Sequence, residues 1–165
     1  MDEIKVKIEW EGKTFEFQGS PEQIVVEIEK FVSKFIPTLS LAKKLSLSID
    51  LRELAEMLSP VIKIKDNEIF LMEEASRLPQ SDRILSVLAA KKLLHLMGVT
   101  ETDLLSLQEI ANMTIASSKS TSSRLSELYA QRSVDKIRSG NKVLYRITLN
   151  GILLLRKRLR KLASK

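Results

Sequence analysis

The sequence predicts an α+β protein in two parts, and three observations carry that prediction. Short runs of alternating apolar residues flank turn residues near positions 4–17, 61–72 and 134–147, which is the signal of β-hairpins. Longer stretches between and after them place apolar residues at three- and four-residue steps behind serine or aspartate caps, the signal of helices. Finally, the charge is split. Residues 1–75 hold ten Lys/Arg and fifteen Asp/Glu, a net of −5. Residues 76–165 hold seventeen and six, a net of +11 within a chain total of +6. The expected domains are therefore an acidic α+β domain at 1–75 and a basic one at 76–165.

A chain of 165 residues can form one large core or two small ones. With 44% hydrophobic and 29% charged residues, it reads as globular rather than disordered. No apolar run approaches the roughly 20 residues of a membrane span. The start, MDEIKVKIEW, lacks a secretory pattern. The absence of cysteine excludes disulfides and thiolate metal sites, and suits a cytoplasmic location. Abundant Ile, Leu, Lys and Glu without Cys also suit a thermophile.

In the first half, Ile4, Val6, Ile8 and Trp10 alternate with charged residues, Glu11-Gly12-Lys13 turns the chain, and Phe15 and Phe17 continue the alternation. These aromatics could stack bases; in acidic surroundings they are better read as the core face of a hairpin. Ser20-Pro21-Glu22-Gln23 opens a helix with a serine cap, a proline at the first position and a glutamine three residues on. Ile24, Val25, Ile28, Phe31, Val32 and Phe35 form its stripe, and Pro37 stops it. A shorter helix is expected over Leu39–Leu47. Asp50-Leu-Arg-Glu53 is a capping box for another, ending at Leu58 before Pro60. Val61–Lys65 and Ile69–Met72 around Asp66-Asn67 form a second hairpin.

Glu73–Gln80, polar and holding Pro79, is the expected linker. Ser81 or Asp82 then caps a helix to Met97, with Gly98 as its left-handed stop. That helix is apolar nearly all round, through Ile84, Leu85, Val87, Leu88, Leu93, Leu94 and Leu96. It needs cover on several sides, from the C-terminal core plus either the N-terminal domain or a second subunit. Ser106-Leu-Gln-Glu109 is a capping box for a short helix with Leu107, Ile110 and Ala111 on one face. After a break at Met113–Ala116, Ser117 caps a helix that buries Thr121, Leu125 and Leu128. Val134–Arg138 and Val143–Ile147 around Ser139-Gly140-Asn141 form a hairpin. A last helix, Leu149 to about Ala163, spaces Ile152, Leu155, Leu159 and Leu162 for packing and fills its other face with Arg156-Lys157-Arg158 and Arg160-Lys161. Helix, turn, helix, hairpin is the order of a C-terminal winged helix-turn-helix domain, here with a basic terminal helix.

The stretch from Ser106 to Gly151 resembles the winged helix-turn-helix regulators of bacteria and archaea, in the broad MarR- and ArsR-like sense. Ala111 stands for their small residue in the first helix, Ser117–Ser123 for their hydroxyl-rich start of the second, and Leu125 and Leu128 for their leucine pair. Tyr145-Arg-Ile-Thr148-Leu-Asn-Gly151 matches the run that leads out of the wing. Two departures stand out: Arg132-Ser133 replaces a Gly-apolar pair, and Thr121 replaces a valine or isoleucine.

The resemblance implies a DNA-binding transcriptional regulator. Its recognition helix, about Ser117–Gln131, would lie in the major groove, and its wing, about Val134–Ile147, on the backbone. The expected DNA contacts are Ser118, Lys119, Ser120, Thr121, Ser123 and Arg124 on the helix and Lys136, Arg138 and Lys142 on the wing. Arg124 and Lys119 are best suited to guanine. Residues 114–165 carry thirteen basic and two acidic groups, the footprint of a polyanion binder. The basic last helix could lie on an acidic membrane, but packing, dimerisation through its leucines and phosphate contact through its basic side are preferred, and no membrane partner is expected. A homodimer is expected, with a protein partner possible through the N-terminal domain. The alternatives are a winged-helix interaction module of a larger assembly, or an architectural DNA coat without sequence preference. No catalytic site, metal or cofactor is expected. His95 has no ligand partners in sequence, and Glu101, Asp103 and Glu109 read as loop and cap residues rather than acid/base pairs.

Overall fold

A computed structural model describes residues 3–10, 12–35 and 50–163. The expected helix at 39–47, together with Glu11 and Pro37, lies outside the described residues. Backbone contacts divide the chain into two compact units, 1–48 and 49–165.

In the first unit, β1 (Ile4–Trp10) pairs antiparallel with β2 (Lys13–Gly19), from Ile4 opposite Gly19 to Trp10 opposite Lys13. Helix α1 (Pro21–Phe35) is capped as its sequence requires. The Ser20 amide donates to Gln23 Oε1 at 3.1 Å and the Gln23 amide to Ser20 Oγ at 3.4 Å. Ile24 and Phe31 are buried. The Phe31 ring meets Phe15 and Phe17 edge-on, with centroids 4.7 and 5.9 Å apart. Both hairpin phenylalanines thus pack against the helix, leaving no stacking platform built on them.

The second unit is built around α3 (Gln80–Leu96). Ile84, Leu85, Val87, Leu88, Ala89 and Ala90 are all completely buried. Part of their cover comes from α2 (Leu51–Leu58) and the hairpin of β3 (Ile62–Lys65) and β4 (Glu68–Leu71). Leu54, Leu58, Val61, Ile62 and Ile69 join α3 and the C-terminal elements in one buried cluster. Residues 50–72, expected in the N-terminal domain, therefore pack with the C-terminal unit, and the division by contacts falls at 48/49 rather than 75/76. The polar stretch 73–80 is a packed connection. Its 3-10 turn, Glu73–Arg77, is anchored by Ala75 and Leu78, 0% and 5% exposed.

Local chemistry sets the ends of these elements. The Asp50 carboxylate accepts from the Arg52 and Glu53 amides at 2.8 and 3.4 Å. The Glu53 carboxylate goes instead to Arg156 at 2.7 Å, so only half of that capping box forms. Asp66 and Asn67, with φ of 51° and 65°, make the primed turn that the right-handed twist of a hairpin favours. Helix α3 starts at Gln80 behind Pro79, ahead of the cap expected at Ser81 or Asp82, which leaves Asp82 buried in its first turn.

The remaining elements are β5 (Leu105–Ser106), α4 (Leu107–Met113), α5 (Ser118–Ala130), β6 (Val134–Ser139), β7 (Lys142–Ile147) and α6 (Leu149–Ala163). The three strands form one antiparallel sheet in the order β5-β7-β6, with Leu105 opposite Tyr145 and Val134 opposite Ile147. This is a winged helix, whose order the sequence predicts apart from β5. Two contacts tie the end of α3 to the loop that leads to β5. Lys92 Nζ donates to Asp103 Oδ2 at 2.7 Å, and His95 Nδ1 lies 3.0 Å from the Thr100 carbonyl. Among the described residues no helix is long and apolar enough to cross a membrane.

Candidate nucleic-acid interface

The helix-turn-helix is held by hydrogen bonds that its sequence specifies. The Ser106 amide donates to Glu109 Oε2 at 2.7 Å and the Glu109 amide to Ser106 Oγ at 3.3 Å, completing the capping box of α4. That helix ends with the Ile115 amide bonded to the Asn112 carbonyl at 3.2 Å and the Ala116 amide to the Ala111 carbonyl at 3.0 Å. This is a Schellman turn. Thr114 is fully buried, its hydroxyl donating to the Ile110 carbonyl at 2.7 Å. Ser117 then caps α5, accepting from the Ser120 amide at 3.2 Å. The inner face of α5 is Thr121, Leu125 and Leu128, at most 2% exposed.

The departure at Arg132-Ser133 has a structural form. Arg132 takes the left-handed position with φ 56°, its amide bonded to the Tyr129 carbonyl and the Ser133 amide to Leu128, both at 2.9 Å. The Thr-x-x-Gly run after the wing fastens α6 to this turn. Thr148 donates through its amide to the Ser133 carbonyl at 3.1 Å and through its hydroxyl to the Arg132 carbonyl at 2.7 Å. A Cβ on Gly151 would lie 2.1 Å from the Ser133 carbonyl oxygen, so only glycine fits there.

Of the nine expected DNA contacts, eight are exposed: Ser118, Lys119, Ser120, Ser123 and Arg124 on α5, and Lys136, Arg138 and Lys142 on the wing. Thr121 is not. It is completely buried, with Gln80 Nε2 donating to its hydroxyl at 3.5 Å, and it belongs to the packing face rather than the contact face. Two exposed serines are already oriented: Ser120 Oγ bonds Gln80 Oε1 at 2.5 Å and Ser118 Oγ bonds Gln108 Oε1 at 3.2 Å. Arg83 Nη1 donates to the Thr114 carbonyl at 3.2 Å. Gln80 and Arg83 thus position the helix-turn-helix from α3, and Gln108 ties its first helix to its second. Sequence reading misses them, because no local pattern links Gln80 to a serine 40 residues away.

Arg124 Nη1 binds both oxygens of Glu127, at 2.9 and 2.7 Å, on the exposed side of α5. Such a surface pair is worth little and can open. On the wing, Arg146 pairs with Asp135 at 3.2 Å. Lys119, Lys136, Arg138 and Lys142 have no acidic partner within 4 Å among the described residues. Strand alternation puts Lys136 and Arg138 on one face of the hairpin and Lys142 on the other at the tip. There Gly140 makes the two-residue turn with φ 57°.

The basic face of α6 is engaged within the unit. Arg156 binds Glu53 at 2.7 Å, Arg160 lies 3.7 Å from the same carboxylate, and Arg158 binds Asp82. Ile152 and Leu155 on the opposite face are buried. Of these arginines only Arg158 meets a buried carboxylate, Asp82; the pairs of Arg156 and Arg160 with Glu53 lie at the surface.

No family profile and no characterised protein sequence matches the chain. Among solved structures it is similar to BpsR of Bordetella bronchiseptica, whose DNA binding is regulated by 6-hydroxynicotinic acid. The identity is 18% over 68% of this chain and 71% of that one, with a TM-score of 0.37. It is similar also to ZitR, a zinc-responsive MarR family member from Lactococcus lactis, at 15% identity over 79% and 72%, TM-score 0.36. A third is a homodimeric winged helix-turn-helix DNA-binding domain from Mycobacterium bovis, a possible ArsR-family regulator, at 24% identity over 55% and 84%, TM-score 0.31. At these scores the winged-helix architecture is carried by the order and pairing of the chain's own elements.

Proposed function

We propose that the chain is a double-stranded-DNA-binding transcriptional regulator that sets α5 in the major groove and its wing along the backbone. The observation that supports this is the distribution of available cations. Lys119 on α5 and Lys136, Arg138 and Lys142 on the wing are exposed and without acidic partners among the described residues, on the two elements that this fold offers to DNA. Arg124 and Lys119 read base edges, arginine matching guanine O6 and N7 bidentately once it leaves Glu127. Ser118, Ser120 and Ser123 and the α5 N-terminus hold phosphate oxygens. Thr121, being buried, has no part.

The chain acts as a homodimer, two-fold symmetry setting two α5 helices about one DNA turn apart. Burial of α3 within its own unit removes one motive for dimerisation. What remains is the exposed apolar group of Leu96, Met97 and Val99 at the end of that helix.

Selection from random DNA, followed by a salt titration on the selected site, tests the reading. If Lys136, Arg138 and Lys142 each meet a phosphate, log affinity falls against log salt with a slope of roughly −2.7 per protomer. A flat titration overturns DNA binding in favour of a protein-interaction module. A steep slope without a consensus sequence makes the protein an architectural coat.

A further inference from the structure

Three helices of the C-terminal unit end in the same backbone motif, and only one of them uses glycine. At the end of α3 the Gly98 amide bonds the His95 carbonyl and the Val99 amide bonds Leu94, both at 2.9 Å, with Gly98 at φ 73°. A Cβ there would meet nothing within 4 Å, so the glycine serves the backbone alone. The ends of α4 and α5 repeat that bonding pattern with Ile115 at φ 51° and Arg132 at φ 56°. A left-handed β-branched residue is the least tolerated of these, because its Cβ crowds the neighbouring carbonyl.

Burial does not compensate Ile115. It is 88% exposed, the most exposed large apolar residue described. Nor is its direction free: Thr114 is buried beside it and Arg83 holds the Thr114 carbonyl at 3.2 Å, so Ile115 projects away from the core. It stands two residues before the Ser117 cap, within about 7 Å along the chain. Strain kept at an exposed position points to a use for the side chain.

We propose that Ile115 is a base-contacting, specificity-determining residue that meets the C5-methyl of a thymine where the start of α5 enters the major groove. This rests on the DNA-binding reading above. The thymine methyl is the apolar group that the major groove displays, and an isoleucine has no hydrogen bond with which to read any other edge.

The test replaces each thymine of the selected site by deoxyuridine, one at a time, which removes only the methyl. One such replacement is expected to weaken the wild-type chain about fourfold, the worth of one buried methyl-sized group. It is expected to leave Ile115→Gly and Ile115→Asn, which bind the thymine site correspondingly less well, unaffected. Both variants accept the left-handed backbone and lose no buried surface, so their unfolding temperatures hold or rise. If no uracil replacement affects the wild type, or if both variants unfold at lower temperature, Ile115 is not a thymine reader. Equal weakening of the variants on every sequence overturns the proposal as well. A wild-type chain without DNA affinity removes the parent reading and this one together, whereas DNA binding without methyl dependence removes only this one.

Discussion

Helix α6 and the wing are similarly basic in sequence, with five cations in Leu149–Ala163 and four in Val134–Ile147, yet the fold treats them in opposite ways. It brings Glu53 and Asp82 to Arg156, Arg158 and Arg160, so the arginines of α6 fasten the last helix to α2 and α3. On the wing Arg146 pairs with Asp135, while Lys136, Arg138 and Lys142 have no acidic partner within 4 Å among the described residues. The lesson is that segment charge does not identify a binding surface. The carboxylates that tertiary packing delivers decide which cations hold the fold and which remain for a polyanion.

That contrast assigns a stability effect to Arg158, whose partner is buried, and binding effects to cations that are free or paired only at the surface, and four measurements would break or sharpen it. The largest effect is expected of Arg158→Ala. Asp82, 3% exposed, would keep only the Ser81 hydroxyl as a side-chain partner, so urea unfolding should lose about 3 kcal/mol. The folded variant should bind DNA as before; weakened binding with unchanged stability would erase the contrast. Next is Arg124→Ala, which should cost about 1–3 kcal/mol on the preferred site and relax one base position. Unfolding should hardly move, because the exposed Glu127 pair contributes little. If the variant unfolds instead, Arg124 belongs with the arginines of α6.

Acid should separate the groups a third way. Burial acts to raise the pKa of Asp103, but the hydrogen bond and charge of Lys92, aided by Arg146, outweigh it and hold the carboxyl below its usual range. A depressed carboxyl stabilises the fold fully above its unfolded value of about 3.9, and that contribution is lost as the pH falls through the folded value. Asp103→Asn should remove this part of the acid dependence in a pH series of unfolding curves. The smallest effect is that of Lys142→Ala. It should lower the salt slope by about one unit on all sequences alike and leave the unfolding midpoint where it was; base-dependent losses would move Lys142 to the reading group.

What was legible in the sequence is what local chemistry determines. The caps at Ser20, Ser106 and Ser117, the stop at Gly98, the buried register of Leu125 and Leu128 and the Gly140 hairpin all depend on residues a few positions apart. What stayed hidden depends on partners far along the chain. Strand β5 has two residues, too few for a period, and exists because Tyr145 and Leu144 lie beside it. The connection at 73–80 is polar in composition, while its two anchors, Ala75 and Leu78, acquire meaning only against α3. Thr121 fits both a packing face and a contact face by spacing, and the structure settles it as packing. The pairing of Arg156 with a glutamate 103 residues earlier has no trace in any window of sequence.

The missing side chain at Gly151 has a mechanical consequence. With nothing between that residue and the Ser133 carbonyl, and with Thr148 bonded to both Arg132 and Ser133, the joint has no slack for sliding. Twisting α6 therefore turns the far end of α5 with it, as a crank turns its shaft. Whatever grips the last helix has a stiff handle on α5.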